Sequence, residues 1–126
     1  MGRPLRTITA LSTCVILSAC VTHKTKYSWG GYDQALYDYY KHPADAAHYM
    51  TALRAAINGA AKNRQPVAPG VYAEYGYMLM QQQKYEEASS YFEQEKQAWP
   101  ESAQFMDGMI RAARLGGKPA GGSNSR

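Results

Sequence analysis

The sequence predicts an all-α protein in which antiparallel helical hairpins stack as a short array that ends in a capping helix. Apolar residues recur at steps of three and four in five successive segments, which is the spacing of one helix face. None of these segments shows the alternation of a half-buried strand. Pro and Gly residues lie between them and mark their ends. A chain of 126 residues is long enough for one such domain.

The first two predicted helices are separated by Pro43, which ends one helix and suits the start of the next. The first helix runs from Tyr32 to Lys41, and the second from Ala44 to Asn63. Gly59 lies inside the second helix, where Gly costs about 1 kcal/mol relative to Ala. The second helix carries a clear apolar stripe of Ala46, Met50, Leu53, Ile57 and Ala60.

The third and fourth predicted helices occupy residues 69–102, a 34-residue stretch that resembles a tetratricopeptide repeat. Gly76 and Ala88 take the small positions where the two helices of such a repeat cross closely. The aromatic and closing positions are taken by Phe92 and Pro100. Large apolar residues fill the first helix of the pair, namely Tyr72, Tyr75 and Leu79.

The repeat departs from the family pattern at two positions. Gln83 stands where the turn usually has Gly, and Glu95 stands where a small apolar residue is usual. An ordinary helical hairpin with coincidental spacing is the alternative interpretation. One repeat also needs neighbours to cover its faces, and the first two helices are expected to supply a degenerate repeat on one side.

The capping helix is predicted from Glu101 to Leu115. Its apolar residues lie on one face, and Arg111 and Arg114 lie near its carboxyl end, where cations are favourable. The helical domain is therefore expected over residues 29–115. Residues 116–126 are rich in Gly, Ser and Asn and predict a disordered tail. The apolar face of the capping helix consists of Phe105, Met106, Met109, Ile110 and Ala113.

The amino-terminal residues predict an export signal followed by a lipid anchor. Two Arg precede a short apolar run that ends in Leu17-Ser18-Ala19-Cys20. This tetrad resembles the lipobox of bacterial lipoproteins. The resemblance implies that the signal peptide, residues 1–19, is removed and that Cys20 becomes lipidated. Residues 20–28 would then form a tether, and a plain secreted protein with a chance Cys is the alternative.

The lipobox resemblance also implies a location. The residue after Cys20 is Val21 and not Asp, and in enteric-type bacteria such lipoproteins go on to the outer membrane. Two or more acyl chains hold a protein stably on a bilayer. We therefore expect a lipid-anchored protein of the outer membrane that faces the periplasm.

The charge pattern does not indicate nucleic-acid binding. The formal net charge is +4, but residues 27–115 carry eight basic side chains against ten acidic ones. The positive balance comes from the two ends of the chain, so no nucleic-acid partner is predicted.

The sequence predicts no catalytic residue, no metal site, no cofactor and no small-molecule substrate. Its three His, at positions 23, 42 and 48, are too scattered to share a metal ion. The acidic residues of the fourth helix are interpreted as a solvated face, since no second carboxylate is placed across a cleft. These residues are Glu86, Glu87, Glu93 and Glu95. We expect a protein without enzymatic activity.

Aromatic residues supply the candidate binding surface. Tyr32, Tyr39 and Tyr40 are expected to pack against the helices, whereas Trp29 and Tyr37 are candidates for partner contact. In tetratricopeptide proteins the first helix of each pair lines a concave groove, and the resemblance places Ala73, Tyr77, Met80 and Gln81 there. Tyr77 and Met80 would anchor an apolar or aromatic segment. The alternative is that so short an array has no free groove.

Residues 26–32, 36–41 and 43 resemble the opening of a family of short bacterial outer-membrane lipoproteins. Members of that family carry a tetratricopeptide-like pair and are encoded beside a lipoprotein similar to the curli secretion channel. The resemblance implies an interaction adapter in a cell-envelope or secretion assembly, with the curli-channel-like lipoprotein as partner. A peptidoglycan-binding or wall-associated structural lipoprotein is the alternative.

Overall fold

The structure is a computed structural model that describes residues 25–116. Helices make up most of this part of the chain, and it contains no strand, so the predicted all-α class is confirmed. Single turns of 3-10 helix, Pro43–Asp45 and Pro100–Ser102, precede the second and the last α-helix. The α-helices are α1 (Tyr32–Lys41), α2 (Ala46–Asn63), α3 (Val71–Gln81), α4 (Tyr85–Ala98) and α5 (Ala103–Arg114).

The two 3-10 turns change the starts that the sequence predicts for α2 and α5. Each turn begins at a Pro, Pro43 or Pro100, whose fixed φ and missing N–H suit the first position of a helix. Both α2 and α5 are therefore preceded by a tighter 3-10 turn, after which α-helical hydrogen bonding begins. Regular helix therefore starts two residues later than expected in both cases, at Ala46 and Ala103, whereas α1 has the predicted bounds.

Consecutive helices pack against one another, and α3 and α4 make the most extensive contact. A Cβ atom on Gly76 would lie 2.8 Å from Phe92 Cε1 and 3.1 Å from the carbonyl oxygen of Ala88. The absence of a side chain at Gly76 thus allows this approach. Gln83 adopts a left-handed φ of 61° in the turn between the two helices, at the position where Gly was expected.

The core is continuous from α2 to α5. Each of these helices contributes large side chains that are almost inaccessible to solvent, and together they form one cluster. Burial of this apolar surface is the main stabilising term for a small array of this kind. The largest buried members are Tyr49, Leu53, Val71, Tyr75, Met78, Leu79, Phe92, Met106 and Ile110.

Residues 25–31, here called the N-terminal strap, run across α2 before α1 begins. The carbonyl oxygen of Thr25 accepts a 2.8 Å hydrogen bond from Gln65, and Ser28 rests on the bare backbone of Gly59. Tyr27 packs against the core, with its ring centroid 6.2 Å from that of Trp99. Packing therefore begins upstream of the expected domain start at residue 29, and Gly59 provides space for the strap.

Several predictions fall outside residues 25–116. They are the signal peptide at residues 1–19, the lipidated Cys20 with the first part of the tether, and the tail beyond Gly116. Within the described range, none of the helices combines the length and apolar composition of a membrane span.

Candidate functional site

The odd-numbered helices α1, α3 and α5 line an apolar groove with a volume of about 290 Å³. The helices α2 and α4 contribute one buried side chain each, Tyr49 and Phe92. Glu74 contributes the one carboxylate among the described lining residues. The remaining lining residues are Leu36, Tyr39, Tyr49, Ala73, Tyr77, Met78, Phe92, Phe105, Met106 and Met109.

Three large apolar or aromatic side chains border the groove and remain open to solvent. Leu36 of α1 is 38% exposed, Tyr77 of α3 is 52% exposed, and Phe105 of α5 is 66% exposed. Isolated exposed apolar residues are common on protein surfaces, but a contiguous set around a concavity is typical of an interaction site. Each of the three belongs to a different helix, so the groove depends on the stacking of the array.

Two tyrosines hold the Glu74 side chain in the wall of the groove. Tyr32 Oη donates hydrogen bonds of 2.9 and 3.0 Å to the Glu74 carboxylate, and Tyr49 Oη donates a further one. Burial and the adjacent Glu74 charge raise the pKa of Tyr32 to about 12, and they also raise the pKa of Tyr49. Both phenols therefore stay protonated at neutral pH and act as donors, which fixes the position of the carboxylate.

A second cavity of about 480 Å³, here called the acidic cavity, adjoins the groove. The two share Ala73, Glu74, Phe105 and Met106 in their walls. Three carboxylates, those of Glu74, Glu95 and Glu101, line the acidic cavity, and no Lys, Arg or His occurs in its described lining. Its other walls are formed by Pro69, Gly70, Trp99 and Ser102.

Glu95 is buried, with 2% of its surface exposed, so its assignment to a solvated helix face is wrong. Its Oε1 accepts a 2.7 Å hydrogen bond from the backbone N–H of Gly70, at the start of α3. Gly70 has no side chain with which to cap α3, and the carboxylate of Glu95 supplies that acceptor from α4. The departure from the repeat pattern at this position therefore has a structural reason.

The pKa of Glu95 is raised, chiefly because burial disfavours its charged form. Backbone N–H groups of Gly70, Tyr72 and Ala73 partly offset this effect, and the neighbouring Glu74 adds to it. Glu95 Oε2 has no hydrogen-bond partner among the described residues, and the same holds for Nε1 of Trp99. The acidic cavity thus contains a carboxylate that is only half satisfied.

The structure separates the four predicted binding residues. Tyr77 lines the groove, whereas Trp29, Tyr37 and Met80 are not among its lining residues. Trp29 lies against Tyr32 and Tyr27, each at a ring distance of 5.7 Å, and Tyr37 is 57% exposed beside Lys41. Met80 packs against the core instead. Cys20, the predicted lipidation site, lies outside the described residues.

Helical spacing misassigned other residues of this region. Phe105 lies on the apolar face predicted for the capping helix, yet it borders the groove, as Leu36 of α1 does, and Tyr40, which is expected to pack, is 83% exposed. Tyr32 and Tyr39 do pack against the core as expected. Periodicity identifies an apolar face, but whether another helix covers that face depends on the tertiary arrangement.

Comparison with known proteins places the chain in a family. No curated protein and no solved structure matches it. The family described as a domain of unknown function, DUF4810, matches residues 26–109. The match begins in the strap at Lys26, covers α1 to α4, and ends within α5, before the last five residues of that helix. The chain therefore belongs to the DUF4810 family.

Proposed function

We propose that this protein is a non-enzymatic adapter, anchored by lipid to the outer membrane, that binds an apolar or aromatic segment of another envelope protein in its groove. The observation that carries the proposal is the exposure of Leu36, Tyr77 and Phe105 around one concavity. Aromatic side chains at the centre of a groove are the residues that most often dominate binding energy. The close contact of Gly76 with Phe92 supports the tetratricopeptide-like interpretation, in which this groove is the binding face.

The proposed anchor rests on the sequence Leu17-Ser18-Ala19-Cys20. Acyl chains on Cys20 would confine the domain to a membrane surface and raise its effective concentration near membrane-bound partners. The resemblance of residues 26–43 to envelope lipoproteins makes a lipoprotein of the curli-channel type the proposed partner. Replacing Cys20 by Ser should release the protein into the soluble periplasmic fraction, and a variant that stayed with membranes would contradict lipid anchoring.

Photocrosslinking in cells tests the groove. A photoreactive residue at position 77 should form an adduct with one envelope protein, which mass spectrometry identifies. Position 37 is a matched control, because Tyr37 and Tyr77 are similarly exposed but Tyr37 lies outside the groove. Adducts at position 37 alone would place the partner elsewhere and overturn the groove assignment.

A binding experiment with purified sacculi distinguishes the adapter from the alternative, a peptidoglycan-binding lipoprotein. Retention of the full chain on sacculi free of other proteins, unaffected by Tyr77→Ala, would favour a wall-binding protein and contradict the adapter. Co-purification of a channel-like lipoprotein, lost in Tyr77→Ala, supports the adapter.

A further inference from the structure

The three carboxylates of the acidic cavity, which adjoins the groove, differ in how far they are exposed to solvent. Glu101 is exposed, Glu74 is half-buried and Glu95 is buried, and all three line the same cavity. Among the described residues, no group of three or more acidic, His or Cys side chains is arranged to hold a metal ion. The three carboxylates therefore attract positive charge, but they are not arranged to coordinate a single metal ion.

Glu95 supplies independent evidence that this cavity is incomplete. Its Oε2 is buried and has no hydrogen-bond partner among the described residues, although Oε1 is bonded to Gly70. A buried carboxylate oxygen without a partner is unfavourable, and a cationic donor that reached it would recover that free energy. Repulsion from Glu74 acts in the same direction, because a cation would relieve both charges.

The cavity walls fit an organic cation. Trp99 and Phe105 contribute aromatic rings beside the carboxylates, and cations are attracted to the faces of such rings. A Lys or Arg side chain combines an apolar stem with a charged end, so its stem can lie along the rings while its end meets carboxylate oxygens. Because the cavity adjoins the apolar groove, one polypeptide segment can occupy both.

We infer that the segment bound in the groove carries a Lys or Arg whose side chain enters the acidic cavity toward Glu101, Glu74 and Glu95, while its apolar residues contact Tyr77 and Phe105. This inference rests on the proposed function, since it specifies the partner of the same groove. Apolar contact supplies the binding surface, and the buried cation supplies selectivity for one register of the segment.

Selection of peptides tests the inference directly. A random-peptide phage library is panned against the full chain in lipid nanodiscs, and peptides that also bind the Tyr77→Ala chain are discarded. The remaining groove binders should share a Lys or Arg next to apolar residues. Replacing that basic residue by Gln should weaken binding to the wild-type chain by about tenfold, as expected for loss of a charge-assisted hydrogen bond.

Matched variants locate the cation. The Lys-to-Gln or Arg-to-Gln change in the peptide should weaken binding to Glu101→Gln by clearly less than the tenfold expected for the wild-type chain, because one of the three carboxylates that attract the cation has been removed. Glu86→Gln is the control, since Glu86 is an exposed acid on α4 that lines neither the groove nor the acidic cavity. The Glu101 side chain makes no hydrogen bond or ion pair within the described residues, so Glu101→Gln removes no such contact from the fold.

The possible results distinguish the two proposals. Groove binders that lack a shared basic residue would overturn the cation inference and leave the adapter function standing. A basic residue that contributes equally to binding of wild type, Glu101→Gln and Glu95→Gln would also overturn it. Failure to recover any peptide that depends on Tyr77 would count against the adapter function itself.

Discussion

Replacing Gly76 by Ala tests whether the crossing of α3 and α4 requires a residue without a side chain. The new Cβ would lie 2.8 Å from Phe92 Cε1, 3.0 Å from Cδ1 and 3.1 Å from the carbonyl oxygen of Ala88. Phe92 is fully buried, and the carbonyl belongs to the backbone of α4, so neither can move aside without disturbing other contacts. The helices must separate to accept the methyl group.

Two opposing effects determine how much Gly76→Ala changes the unfolding free energy. Overpacking of a tight core site costs about 1–3 kcal/mol. Ala is favoured over Gly within a helix by about 1 kcal/mol, which offsets part of that cost. Gly108 offers a matched control, because it lies inside α5 and a Cβ there would have no neighbour within 4 Å. Gly108→Ala should therefore stabilise the protein, and the difference between the two variants isolates the steric cost.

Urea unfolding of the full chain, followed by far-ultraviolet circular dichroism, gives the two free energies. The unfolding free energy of Gly76→Ala should lie about 1–3 kcal/mol below that of Gly108→Ala. For a domain of this size each 1 kcal/mol corresponds to a shift of about 4–8 °C in Tm. Equal stabilities of the two variants would show that α3 and α4 do not cross as closely as described.

Three further outcomes are expected. Because the folded-state pKa of Glu95 is raised, the wild-type unfolding free energy should fall as pH rises above the usual carboxyl pKa of 4.5. Urea titrations at several pH values should show that Glu95→Gln removes this loss. Unfolding free energies of wild type and Glu95→Gln that change in parallel with pH would refute the prediction. Gly59→Ala should displace Ser28 and increase hydrogen exchange in the strap, and adding Ser28→Ala should restore protection, whereas unchanged exchange would argue against the contact. Tyr77→Ala should alter the unfolding free energy by less than about 1 kcal/mol, since Tyr77 is half exposed, while Phe92→Ala should cost about 3–5 kcal/mol; a Tyr77 variant that unfolds would assign this residue to the core.

Local sequence patterns predict the helices of this protein well. Apolar spacing and the position of Pro43 predict α1 with its observed bounds, and the 34-residue pattern predicts the pair α3 and α4 with Gly76 at their crossing. These features depend on interactions between residues close in the chain, such as helical hydrogen bonds and the fixed φ of Pro. Placement of Tyr77 in the groove also followed from its position in the repeat pattern.

The strap was harder to predict, because its contacts are distant in sequence. Tyr27 and Ser28 looked like part of a polar tether, yet Ser28 meets Gly59 and Tyr27 meets Trp99. From the sequence alone Gly59 is an unfavourable residue inside α2, and only the structure shows that it makes room for Ser28 of the strap. A short polar segment contains no local pattern that indicates which helix it will cross.

By itself the sequence determined the helical class, the order of the helices and the small residue, Gly76, where α3 meets α4. These features follow from periodicity and chain breaks, which act over a few residues. Tertiary structure alone decided that Leu36 and Phe105 border a groove and that Glu95 is buried at the start of α3. A helical stripe shows which side chains are apolar, but its burial depends on whether a distant helix covers it. The same holds for Glu95, whose hydrogen-bond donor, Gly70, lies 25 positions away in the chain.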